Sequence, residues 1–498
     1  MSHLTRRQWL ATVGAAGLLS TNGQRIAAQT SGRKRPNFVF FLGEGLRPDE
    51  LSYGGNRIIQ TPNLDRIGRE GVNFQNAFCT NALCAPARAS ILTGMYSHTT
   101  GAVDNRNATI PASAAVVTDL LHDAGYETAF LGKSHVAGAL RNHAWDYYFG
   151  FEGQSGYFDT PIWEGGNGKY TGPKKYPEYI DDMLAVKAAD WLQTRTDKPF
   201  CLFLWFYAPH APFYRPARLD NALNGVPIPT PKSYAEYFQG YPNRSRAVLE
   251  ARNRIGSCLV GSDTPRSLEE VVKDQYAGVL SNDQDAGLLF RTLQQKGMMD
   301  DTAILLSSDH GFFLGEHHFY DKRFMYEPAI RIPMSIRYPR LIPAGTQLPQ
   351  MALNVDIAPT ILDLAGIPAP AAMQGRSLLP LARGATVADW RQDWLYEYYE
   401  YPDFEHVQPH RGIRTARYKL IDFYLEPEQF ELYDLQTDPD EMTNLYGKPE
   451  FQQLADTLRG RLAELRKQTN DNYVYKIETT RAVGIGVCGA PSPFPKQE

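Results

Sequence analysis

The run Phe200-Cys201-Leu202-Phe203-Leu204-Trp205-Phe206 contains no polar residue and no alternation. A strand with one wet face would alternate, so this run belongs in a strand covered on both faces, as in a parallel sheet between helices. Phe38-Val39-Phe40-Phe41-Leu42 has the same character, and Thr128–Leu131 and Ala303–Leu306 are shorter versions of it. Helical signals separate these runs. One helix starts with Thr61-Pro62 and ends near Gly71, and a second carries apolar residues at Val116, Val117, Leu120, Leu121 and Ala124 before Gly125. Others run from about Val271 to Lys296 and from Asp356 to Ala365, each followed by glycine. Strands alternating with helices predict an α/β fold, with a large mixed, mostly parallel sheet flanked by helices.

The 498 residues allow one large domain and a smaller one. A formal net charge of −4 argues against nucleic-acid binding by bulk electrostatics, and no apolar run reaches the length of a membrane span. The N-terminus resembles a bacterial twin-arginine export signal: Thr5-Arg6-Arg7-Gln8-Trp9-Leu10 precedes a small, apolar run to Leu19. We expect a signal peptide over 1–28 and an exported, periplasmic or extracellular protein. The Pro/Gly/Ala-rich stretch Ile367–Ala385 reads as a linker between a domain over 36–384 and a C-terminal part over 385–498. Strands are expected at Gly412–Phe423 and Phe430–Leu435, and an amphipathic helix at Phe451–Leu465. Tyr214–Ser267 reads mostly as loop near a substrate opening. Cys79, Cys84, Cys201, Cys258 and Cys488 show no metal-finger spacing, and the sequence does not say which of them pair.

In doubly wound sheets, ligands gather beyond the carboxyl ends of the strands. Four expected strand ends deliver Glu44, Lys133 with His135, His210, and Asp309 with His310. Asn81-Ala82-Leu83-Cys84-Ala85-Pro86-Ala87-Arg88 adds a cysteine at a helix start. Pro86 suits the first turn, free N–H groups there favour an anion, and Arg88 adds a fixed cation.

Cys84-x-Pro86-x-Arg88 followed by Ala89-Ser90-Ile91-Leu92-Thr93-Gly94 resembles the signature of the formylglycine-dependent sulfatases of the alkaline phosphatase superfamily. The resemblance covers most of 36–384. It implies that Cys84 is oxidised to an aldehyde by a formylglycine-generating enzyme, and that the hydrated aldehyde attacks sulfur and then expels sulfate. It further implies that Lys133 and Lys322 face a sulfate ester, with Arg88 as a catalytic-site cation of the signature. His135 would contact the hydrate, and His210 would serve the leaving oxygen. His98 is read as structural, and His317 and His318 stay open. The implied Ca²⁺ would be held by Glu44, Asp309, His310 and the residue made from Cys84. Here the chain departs from its relatives: Glu44-Gly45 stands where they carry two adjacent side-chain ligands, which predicts a weakened site that Gly45→Asp would tighten.

The C-terminal segments Arg411–Leu420 and Glu431–Leu435 look like the smaller antiparallel-sheet domain of bacterial sulfatases, with His410, Arg411 and Arg414 as candidates to touch substrate. The reading is an exported sulfatase acting on a sulfated small molecule or glycan. Two rivals remain: a phosphonate monoester or phosphodiester hydrolase of the same superfamily, and a non-catalytic binder of sulfated glycans. Oligomeric state is not legible.

Overall fold

The computed structural model describes residues 35–475 except 107, 112, 137–139, 256–265, 404 and 426. The export signal expected over 1–28, and Cys258 and Cys488, lie outside the described residues. In chain order the strands are β1 (Asn37–Gly43), β2 (Val72–Phe78), β3 (Glu127–Lys133), β4 (Tyr147–Phe151), β5 (Thr160–Gly166), β6 (Lys169–Tyr176), β7 (Phe200–Trp205) and β8 (Thr302–Ser308). A two-residue pair β9 (Phe313–Leu314) and β10 (Tyr320–Asp321) follows, then β11 (Met334–Arg337), β12 (Thr346–Leu353), β13 (Asp393–Tyr398), β14 (His410–Thr415), β15 (Tyr418–Phe423) and β16 (Gln429–Asp434). The helices that matter here are α1 (Pro62–Arg69), α2 (Cys84–Thr93), α3 (Ser97–Thr100), α4 (Val117–Asp123), α5 (Ile180–Gln193), α6 (Leu268–Gln295), α7 (Ile357–Ala365) and α8 (Gln452–Gln468).

Ten strands form the main sheet in the order β12-β2-β11-β8-β1-β7-β3-β4-β5-β6. Its centre, β8-β1-β7-β3-β4, is parallel throughout, and every residue of β1, β7 and β8 is buried. That burial is what the unbroken apolar runs require. Alternate residues serve opposite cores: Phe38, Phe40 and Leu42 face the side of α2, α4 and α7, while Val39 and Phe41 face the side of α1, α5 and α6. The outer strands turn antiparallel, β11 between β2 and β8 and β5 and β6 beyond β4. The fold is therefore the α/β architecture expected.

The antiparallel sheet β13-β14-β15-β16 carries α8 on one face through Leu395, Ile413, Leu420 and Leu432 against Leu458, Leu462 and Leu465. The strand expected over Gly412–Phe423 is two strands, because the chain reverses at Ala416-Arg417. The linker expected over Ile367–Ala385 is no extended tether. Leu378, Leu379 and Leu381 are buried there, the last two in a short helix, Leu379–Ala382, and all three join the main core.

Candidate active site

Helix α2 is buried at all ten positions, which demands small or apolar residues all round and explains Ala85, Ala87, Ala89 and Ile91. Arg88 is the exception, fully buried with its guanidinium 5.2 Å from the centre of the Trp205 ring. A cation in such a place needs partners on every side. Its Nε donates to Asp309 Oδ2 at 3.0 Å, one terminal nitrogen donates to Glu44 Oε2 at 2.5 Å, and the other donates to the Lys133 carbonyl. The guanidinium thus binds together the ends of β1, β3 and β8.

Each sequence-predicted strand end reaches this place. Glu44 follows β1, and the chain turns at Gly45 with φ +73°, the left-handed region glycine tolerates. Glu44 Oε1 lies 2.9 Å from Cys84 Sγ, 3.0 Å from Lys133 Nζ, 3.7 Å from His310 Nε2 and 3.8 Å from His210 Nε2. Asp309 Oδ1 accepts the N–H groups of Gly45 (3.1 Å) and His310 (3.0 Å). Lys322 follows β10 and sits 3.1 Å from Asp321 Oδ1. The segment carrying it holds His317, His318, Asp321 and Arg323 in left-handed conformations, the kind of locally costly backbone that surrounding contacts must impose.

These charges reset one another. Burial and Glu44 push the Cys84 thiol up, but Lys133 and Lys322 outweigh them and hold it well below its usual range. Burial likewise opposes ionisation of Glu44, yet Lys133 and Arg88 keep it well below the ordinary carboxylate value. Asp309, buried and beside Glu44, is pushed up to about 6. His135 is driven down to about 4 by burial and by Lys133, and His210 is lowered for the same two reasons. His310 goes the other way, up to about 10, because Asp309 outweighs its burial. His210 Nδ1 faces the Ala211 carbonyl and so carries the hydrogen, leaving Nε2 to exchange a proton.

Glu44, Cys84, Asp309 and His310 each place one ligand atom within 4.8 Å of the others. Two carboxylates, an imidazole and the Cys84 position around one point fit a single divalent cation. A Cβ on Gly45 would lie 3.2 Å from Phe312 Cδ2 and 3.5 Å from His310 Cε1, and the pair Glu44-Gly45 as it stands supplies one side-chain ligand only.

Other candidates go elsewhere. His98 binds Glu397 and the Thr469 carbonyl. His317 is buried against Glu236 and Arg244, and His318 stacks on Tyr237. His410 is fully buried among Phe324, Tyr396, Tyr398 and Phe423, Arg411 pairs with Asp422, and Arg414 pairs with Glu327. All three are therefore engaged within the protein itself.

Sequence reasoning missed four supporting residues. Gln154 accepts from Lys133 Nζ at 3.1 Å, and the Tyr207 ring lies 5.5 Å from that same nitrogen. Tyr207 also stacks on His210 with centroids 5.3 Å apart. Asp181, on α5, accepts the N–H groups of Tyr207 (2.8 Å) and Ala208 (2.7 Å), and Trp205 lies beside Arg88. The position of Tyr207 just after the β7 run is a usable signal; nothing local marks Gln154 or Asp181.

Comparison with known proteins fits this geometry. The sulfatase family model matches residues 36–367, and the model of the N-sulphoglucosamine sulphohydrolase C-terminal region matches 315–468. An N-acetylglucosamine-6-O-sulfatase from Bacteroides thetaiotaomicron is 36% identical, over 90% of this chain and 89% of that protein. The multifunctional alkaline phosphatase superfamily protein PehA from Trinickia caryophylli is 30% identical, over 84% of this chain and 92% of that one. A solved structure of a protein with its substrate D-glucosamine-2-N,6-O-disulfate superposes with a TM-score of 0.81 at 35% identity, covering 88% of this chain and 99% of the other. The chain belongs to the sulfatase family of the alkaline phosphatase superfamily and is a sulfuric ester hydrolase.

Proposed function

We propose that this sulfatase removes a sulfate ester from a glycan, specifically the 6-O-sulfate of a glucosamine-type sugar, with formylglycine made from Cys84 by a formylglycine-generating enzyme. The carrying observation is Cys84 Sγ at the start of α2, against Glu44 and inside the field of Lys133 and Lys322. Similarity to an N-acetylglucosamine-6-O-sulfatase and to a structure holding D-glucosamine-2-N,6-O-disulfate supports this choice of sugar. The aldehyde hydrate supplies an oxygen nucleophile for sulfur and a second hydroxyl whose collapse frees sulfate. Around it, Arg88 holds Glu44 and Asp309 in place, while Lys133 and Lys322 are the fixed cations that take the ester's anionic oxygens. His135 would contact the hydrate, and His210 presents Nε2 to the departing sugar oxygen. Glu44, Asp309, His310 and the modified Cys84 would hold Ca²⁺, whose charge would polarise the sulfate group and its nucleophile. Export by the twin-arginine route completes the reading, since it lets the cysteine be modified before the folded protein leaves the cytoplasm.

The test is mass spectrometry of the tryptic peptide Glu70–Arg88 after co-expression with a formylglycine-generating enzyme, joined to turnover of N-acetylglucosamine-6-sulfate. Conversion of Cys84 with sulfate release is expected. An unmodified thiol and no turnover would favour the glycan-binding rival. PehA is named as multifunctional, so an aryl sulfate and the matching aryl phosphonate belong in the same assay. A higher kcat/KM on the phosphonate than on either sulfate would move the assignment there.

A further inference from the structure

Among the described residues, the large apolar side chains that are exposed are Phe158, Val186, Tyr214, Phe238 and Val474. Single exposed residues need no explanation, but two of these are neighbours. Phe158 (44% exposed) and Tyr214 (51% exposed) have ring centroids 6.3 Å apart. From them a row of rings runs inward. Tyr214 meets Tyr157 at 6.2 Å, Tyr157 meets Tyr207 at 4.8 Å, and Tyr207 stacks on His210 at 5.3 Å.

The inner rings are fixed: the Tyr157 hydroxyl donates to the His210 carbonyl at 2.5 Å, and the Tyr207 hydroxyl donates to the Ser155 carbonyl. Phe158 is backed by Tyr179 at 5.8 Å. Tyr214 lies four residues beyond His210, so their Cα atoms are at most about 14 Å apart. Phe158 leads into β5, whose partner β6 forms the outer edge of the sheet. There Lys174 pairs with Ile162 and Lys175 with Pro161, so the two exposed lysines face opposite sides of the sheet, Lys174 lying on the side of Tyr176 and the inner aromatic rings. An edge carrying cations on a chain of net charge −4 suits an anionic ligand.

A pyranose ring has faces lined by C–H groups and a rim of hydroxyls, so it lays one face on an aromatic ring while its rim stays in water. We propose that Phe158 and Tyr214 form a stacking subsite for a sugar adjoining the sulfated residue, with Lys174 meeting the anionic groups of the chain beyond it. This rests on the sulfated-glycan reading of the site. It assigns to the enzyme a preference for oligosaccharides over the free monosaccharide. The row of rings from Tyr214 to His210 sets this subsite next to the reaction centre.

The experiment compares N-acetylglucosamine-6-sulfate with a sulfated tetrasaccharide bearing the same residue at its non-reducing end, using formylglycine-loaded enzyme. The double variant Phe158→Ala/Tyr214→Ala should lose about tenfold in kcat/KM on the tetrasaccharide, chiefly through KM, the loss expected for a stacking contact of about 1.4 kcal/mol. Turnover of the monosaccharide should not change. Equal effects on both substrates, or no effect on either, overturn the proposal while leaving the sulfatase reading intact. Calorimetric binding of the same two glycans to Cys84→Ala, with and without the double substitution, decides the matter even if neither is hydrolysed. Affinity for the tetrasaccharide that is indifferent to Phe158 and Tyr214 refutes the subsite.

Discussion

His98 offers a sharp test of how the reactive helix is anchored. It lies in α3, just after α2, and both ring nitrogens face acceptors: Nδ1 meets Glu397 Oε2 at 2.6 Å and Nε2 meets the Thr469 carbonyl at 3.0 Å. A neutral imidazole carries one hydrogen and can satisfy only one of these, so the geometry selects the imidazolium. Burial lowers the His98 pKa, but the Glu397 carboxylate outweighs it and raises the group to about 9. With side-chain exposures of 2% and 1%, the pair is little screened by solvent. The folded value lies above the unfolded one of about 6.5, so the stabilisation is fully present below pH ~6.5 and disappears as pH rises through ~9. Each tenfold gain in proton affinity on folding is worth about 1.4 kcal/mol, so the rise amounts to about 3 kcal/mol in all. Urea midpoints of the wild type and His98→Gln, measured from pH 6 to pH 10 at constant ionic strength and cation concentration, isolate it. The gap between the two proteins should be widest at pH 6 and shrink by about 3 kcal/mol by pH 10. A gap that does not change with pH would show that His98 is neutral in the folded protein and that the imidazolium anchor does not exist.

Three further perturbations follow from the site. Arg88→Lys keeps the charge but gathers its donors on one nitrogen, which does not span Glu44, Asp309 and the Lys133 carbonyl as the three nitrogens of the planar fork do, so it should destabilise the fold by about 3 kcal/mol; an unchanged urea midpoint would disprove the clamp. Asp181→Asn removes one acceptor from the Tyr207 and Ala208 N–H groups that set the His210 loop. It should lower kcat about tenfold or more with cation affinity unchanged, and loss of cation affinity instead would point to general unfolding. Gly45→Asp should cost about 1 kcal/mol without a cation because of the left-handed φ of +73°, yet enlarge the thermal shift produced by Ca²⁺. An unchanged calcium shift would mean that position 45 does not border the ion.

Local pattern already dictates much of this molecule. The unbroken apolar runs of β1 and β7 can be satisfied only by burial on both faces, and their ends then carry Glu44 and His210 to one edge of the sheet. The spacing around Cys84 likewise depends on neighbours in the chain, as helix starts do. What no local pattern held was partnership. Arg88 reads in sequence as a first-turn cation facing an anion, yet much of its guanidinium is spent binding Glu44 and Asp309 to each other, 44 and 221 residues away along the chain. The outer strands β4, β5, β6, β11 and β12 went unread because short or half-exposed strands lack a strong period, and their existence depends on the strand beside them. Asp181, Gln154 and the row from Phe158 to His210 were invisible for the same reason. Periodicity encodes which residues leave water, whereas which buried groups meet is decided by the order of strands, and that order is a property of the whole chain.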